Sequence, residues 1–81
     1  MPGRSAGPIC PAAISLFHEA IAAYPESHPL RGTVRYHLAR GYECNGEVER
    51  AISELARALE EVPSFPEREE SEKLLQKLRS S

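Results

Sequence analysis

Three histidines, two cysteines and a run of carboxylates are the residues of this chain best suited to catalysis or metal binding. His18, His28 and His37 lie ten and nine residues apart. No two of them stand one helical turn apart, and no HExxH pattern occurs, so the spacing offers no metal-binding pair. Cys10 and Cys44 match no zinc spacing and are too few for a disulfide framework. They read as reduced thiols, with a bridge between tail and domain as the alternative. His37 and Cys44 are two turns apart on one helix face, too far to share a metal. As a nucleophile and base they would also need an orienting group and a pocket. Glu67, Glu69, Glu70 and Glu72, interrupted by Arg68, read as the solvated start of a helix. A phosphate-cradling glycine loop and a GxSxG elbow are both missing. The expectation is a protein that is not an enzyme, with no catalytic residue, no cofactor, no metal and no small-molecule substrate.

Bulk properties narrow the class further. With 10 basic and 12 acidic side chains and a net charge of −2, the chain lacks the basic footprint of a nucleic-acid binder. No apolar run approaches the roughly 20 residues that span a bilayer, and Met1–Cys10 has no apolar stretch of signal-peptide length. A soluble, cytoplasmic protein is expected. At 81 residues it forms one small domain, and domains of this size bury only about 60% of their unfolded surface. Stability then depends on regular helix packing or on a partner.

The elements that would carry these residues are helical throughout. Residues 1–10 contain Pro2, Pro8, Gly3 and Gly7 without periodicity and read as a disordered tail. From 11 to 24, Ala13, Leu16, Phe17, Ala20, Ile21 and Tyr24 follow the helical spacing, and Pro25 stops the helix. A second helix is expected over 29–44, capped by Ser27 or His28 with Pro29 in its first turn, and closed by Asn45-Gly46. Its stripe is Leu30, Val34, Leu38 and Tyr42. Gly32, Ala39 and Gly41 are small, which favours close approach of a neighbouring helix. A third helix over 47–62 has one apolar face: Val48, Ala51, Ile52, Leu55, Ala58, Leu59 and Val62. Arg50 with Glu54, and Arg57 with Glu61, are spaced to pair at i, i+4 on its exposed side. Ser64-Phe65-Pro66-Glu67 reads as a capping box for a fourth helix over 66–79, whose apolar stripe is Leu74, Leu75 and Leu78. The fold class expected is all-α: a domain over 11–80 of about four antiparallel helices joined by short loops.

The chain also repeats itself. At an offset of 38 residues Ala13 falls on Ala51, Ile14 on Ile52, Phe17 on Leu55, Ala20 on Ala58, Ile21 on Leu59 and Pro25 on Pro63. On these residues the chain resembles the tetratricopeptide-repeat (TPR) family. Gly32 to Phe65 is similar to one whole repeat of about 34 residues. Leu38-Ala39 and Tyr42 match its first helix, Gly46 its turn, Ala51, Leu55 and Ala58 its second helix, and Pro63 its closing proline. Ala13–Pro25 resembles the second helix of a preceding repeat, and the helix after Pro66 a closing, solvating helix. Arg35 departs from the pattern, since the family has an aromatic residue there. The longer loop after Pro25 is a second departure, and the missing leading helix of the first repeat is a third.

The resemblance implies about one and a half repeats plus a cap, arranged as a fragment of a right-handed α-solenoid. It also implies a module that binds another protein or a peptide in the groove lined by helix 29–44. Carried onto this chain, the groove residues are Thr33, Tyr36, His37, Arg40 and Cys44. Tyr36 and Arg40 join an aromatic face to a guanidinium, a pairing enriched at interface hot spots. The alternative is a structural unit. With the leading helix missing, Ile14, Phe17 and Ile21 of the first helix would be left uncovered and would drive self-association into a homo-oligomer, or the chain would be the terminal piece of a larger solenoid.

Overall fold

The computed structural model describes residues 6–80, with side chains from Ala12 onward. Four helices follow in chain order: α1 (Ala6–Ala22), α2 (Pro29–Cys44), α3 (Val48–Glu61) and α4 (Arg68–Ser80). No strand occurs among the described residues, and the fold is all-α as the periodicity predicts. None of these helices is long and apolar enough to cross a membrane.

Local chemistry explains most of the helix ends. α1 starts at Ala6 rather than at 11. Pro8 sits in its first turn, where a backbone N–H would have no helical acceptor in any case, so it does not block the start. Residues 1–5 of the expected tail lie outside the described residues. At the other end Ala23 and Tyr24 donate to the carbonyls of Ala20 (3.0 Å) and Ile21 (3.2 Å) and tighten the last turn. His28 caps α2: its Nδ1 accepts from the Leu30 N–H at 3.1 Å, and Pro29 follows it. α2 closes in a Schellman motif. Gly46, at φ 80°, takes the left-handed position. Its N–H reaches Glu43 O at 3.1 Å, and the Glu47 N–H reaches Tyr42 O at 2.8 Å. The expected capping box of α4 does not form. The helix starts at Arg68, and the Glu67 carboxylate accepts from the Thr33 hydroxyl (2.6 Å) instead of turning back toward Ser64.

Each helix packs on its neighbours in the chain: α1 on α2, α2 on α3 and α3 on α4, with a slight touch between α2 and α4. Leu38, Ala39, Ala51 and Leu55 are fully buried at the centre, ringed by Ile21, Tyr36, Tyr42, Leu75 and Leu78. A smaller cluster joins Ala58 of α3 to Val62 and Phe65 of the α3–α4 loop. The small residues of α2 do permit close approach. A methyl group built on Gly32 would come within 2.6 Å of the Phe65 ring, and one on Gly41 within 3.2 Å of Ile14. Leu30 and Val48 stay largely exposed because both stand in first turns.

Charge is organised differently from the i, i+4 expectation. Glu54 and Glu61 do not pair with Arg50 and Arg57 on an outer face of α3; both turn inward to α2. Arg35, only 4% exposed, donates to Glu54 (2.6 Å) and Glu61 (3.2 Å), and Arg31 reaches Glu61 at 3.4 Å. A buried guanidinium needs more than one acceptor, and the helix interface supplies two carboxylates. Arg50 pairs instead with Glu47 (3.3 Å) and lies over the Tyr42 ring.

The internal repeat reappears in the hydrogen bonds. Arg31 Nη1 donates to the carbonyls of Ile21 (3.0 Å) and Tyr24 (2.9 Å), closing the C-terminal end of α1. Arg68 Nη1 does the same for α3, to Leu59 (3.2 Å) and Val62 (3.0 Å). Leu59 and Val62 are Ile21 and Tyr24 displaced by 38, and Arg68 is Arg31 displaced by 37. The unit that recurs is therefore a helix, a loop and the arginine that reaches back from the following helix.

Candidate functional site

The stripe expected to line a groove is only partly available. Thr33 is half-buried and spends its hydroxyl on Glu67, tying α2 to α4. Tyr36 is buried, at 9% exposure. Cys44 is held in a disulfide rather than being a reduced thiol, so its sulfur is not free to meet a ligand. Cys10 is the one other cysteine in the sequence, and its side chain lies outside the described residues.

His37 and Arg40 are exposed and stand together with aromatic support. The His37 ring is 5.3 Å from Tyr36, edge-on, and 5.9 Å from Phe17 of α1, stacked. Arg40 donates to the Tyr36 hydroxyl at 3.0 Å and places its guanidinium 5.9 Å from the Tyr36 ring centre. Its own ion pair, to Glu43 at 3.7 Å, is long and solvent-exposed, the kind worth about 0–1 kcal/mol. A carboxylate arriving from outside would meet a guanidinium already oriented by Tyr36 and only weakly engaged. The aromatic rings of Phe17, His37 and Tyr36 form an apolar floor beside it.

Ile14, Phe17 and Ile21 are largely occupied within the chain. Ile21 is buried, and Ile14 and Phe17 are half-buried against the central cluster. Among the described residues of α1, the large apolar side chain on display is Leu16, 65% exposed. A cleft of about 260 Å³ opens between α3 and α4, lined by Leu59, Glu72, Leu75, Gln76, Arg79 and Ser80. None of the groove residues takes part in it.

Arrangements that would carry chemistry are sparse. His18 Nε2 meets the Tyr42 hydroxyl at 2.5 Å and joins α1 to α2. Among the described residues no three His, Cys, Asp or Glu side chains converge on a metal position. The buried Arg35 cluster and the repeated arginines were not found by periodicity. Arg35 did carry a signal, as a charged residue between Val34 and Tyr36 on a helix otherwise set to be buried. Comparisons with family models, curated proteins and solved structures return no match for the chain.

Proposed function

We propose that this chain is a non-catalytic protein-binding module of TPR-like design. In this reading it takes up a peptide or protein segment bearing a carboxylate beside an apolar side chain, on the face of α2 marked by His37 and Arg40. The observation that carries the reading is the placement of Arg40. Its side chain is 57% exposed, yet it is held by the Tyr36 hydroxyl and ring, so little of its freedom remains to be lost on binding. Aromatic and arginine anchors of this kind dominate binding energy at protein interfaces. The helix-turn-helix order, the 38-residue recurrence and the matching residues from Gly32 to Phe65 support the family resemblance. The buried Arg35 stands where that family has an aromatic side chain and bonds α2 to α3 in its place.

The test is selection of peptides from a random library on the intact chain, followed by affinity measurement with variants. Enrichment of acidic peptides is expected. Arg40→Ala should weaken them by about tenfold or more, and Tyr36→Phe, which keeps the buried ring but drops the hydroxyl, by less. Selected peptides that bind Arg40→Ala as well as the parent chain would place recognition elsewhere.

A further inference from the structure

We propose that the chain self-associates head to tail, with α1 of one copy seated in the cleft on α4 of the next. This goes beyond peptide binding and uses a different surface.

The internal repeat identifies both halves of the contact. At the offset of 37 that relates Arg31 to Arg68, the cleft residues Glu72, Leu75, Gln76 and Arg79 are the counterparts of Arg35, Leu38, Ala39 and Tyr42. Those four residues of α2 are all buried, on a helix that packs chiefly against α1 and α3. On α4 Glu72, Gln76 and Arg79 are exposed along the cleft, with Leu75 buried at its base, and among the described residues no further helix lies over it. At the offset of 38 that relates α1 to α3, Glu54 corresponds to Leu16 and Glu61 to Ala23. Glu54 and Glu61 are the residues through which α3 grips Arg35 of α2. Their counterparts, Leu16 on α1 and Ala23 just past its end, are exposed, Leu16 by 65%. The two open faces are thus the two halves of a helix contact that the chain already makes once, between α2 and α3.

Charge selects α1 as the occupant. Where α2 has the cation Arg35, α4 has the anion Glu72. Where α3 has Glu54 and Glu61, the first unit has Leu16 on α1 and Ala23 just past its end. A helix keeping the α3 pattern would set carboxylates at these two positions against Glu72; α1 has none at them, and its exposed Glu19 stands on the adjoining stripe. Glu72 also keeps its own partner, Arg68 at 3.7 Å, so Leu16 would lie along its aliphatic stem without stranding a charge. Gln76 is larger than Ala39, so the docked helix stands further out at that level. Such a contact involves one helix face on each side. A contact of that extent is small beside the roughly 1,200–2,000 Å² of standard stable interfaces, so weak, concentration-dependent association is expected. Because the two surfaces differ, copies add in rows or rings rather than closing as a symmetric pair.

Sedimentation equilibrium on the intact chain should show weight-average mass rising beyond a dimer at high micromolar concentration. Leu16→Glu should weaken association by at least about tenfold, with far-UV circular dichroism unchanged because the side chain is exposed. Leu16→Gln serves as a milder second variant. The decisive measurement is rescue: adding Glu72→Arg to Leu16→Glu recreates across the contact the pairing of Arg35 with Glu54, and association should return. A clean monomer throughout overturns the proposal. Association that survives Leu16→Glu, or that Glu72→Arg fails to restore, overturns it equally and points to another geometry.

Discussion

Arg35 is the residue on which the α2–α3 contact turns. Removing one partner of a buried ion pair leaves the other uncompensated, whereas replacing both with apolar groups is often neutral. Arg35→Ala should therefore cost about 3 kcal/mol in urea denaturation. Arg35→Met combined with Glu54→Leu should recover most of that, because Glu61 keeps Arg31. Ser71 is the opposite case. It is fully buried, and its hydroxyl has no hydrogen-bond partner. At the offset of 37 its counterpart in the first unit is Val34, an apolar residue. Ser71→Ala removes an unsatisfied polar group at almost no loss of volume and should stabilise the chain by about 1 kcal/mol, read as a higher denaturation midpoint. A lower midpoint would mean that the hydroxyl is satisfied in solution.

At the scale of the element, two glycines in one helix answer differently to the same substitution. Glycine to alanine inside a helix ordinarily gains about 1 kcal/mol. At Gly32 the new methyl would meet the Phe65 ring at 2.6 Å, and overpacking of about 1–3 kcal/mol outweighs the gain. At Gly41 the neighbour is Cγ1 of Ile14, at 3.2 Å, a tight approach to a side chain stiff at χ1 but one that a shift of a few tenths of an ångström relieves, so the substitution should be close to neutral. Thermal denaturation of the two variants should separate them clearly, with the Gly32 variant the less stable. The helices themselves were legible in the sequence because their signals are local: Pro29 after a capping residue, Asn45-Gly46 in a left-handed turn, apolar residues at three and four. The start of α1 was not, because prolines near a helix start read the same whether they open the helix or precede it. Glu54 and Glu61 were misplaced for a related reason. Spacing along one helix offered them Arg50 and Arg57, but their actual partners come from another helix. Of the expected stripe, His37 and Arg40 are exposed where spacing puts them, Tyr36 is buried, and Thr33 and Cys44 are engaged by partners that spacing does not reveal.

In the molecule as a whole, packing runs almost entirely between helices adjacent in the chain. Stability is then a sum of neighbour terms, and the ends, each with a single principal neighbour, open before the middle. Amide exchange should be slowest around Leu38, Ala39, Ala51 and Leu55 and faster in the outer turns of α1 and α4. Uniform protection throughout would contradict this. The arginines that reach back to the preceding helix add one further consequence. Arg31 and Arg68 hold the ends of α1 and α3 across loops of different sequence, the second arginine standing one residue nearer its acceptor than the first. Each guanidinium grips backbone carbonyls, so its hold does not depend on the side chains of the loop it spans. The α3–α4 loop packs its own Val62 and Phe65 into the interior, whereas Pro25, Glu26 and Ser27 of the α1–α2 loop are exposed. The α1–α2 loop is therefore the natural place to splice in extra residues, a tag or a labelled side chain.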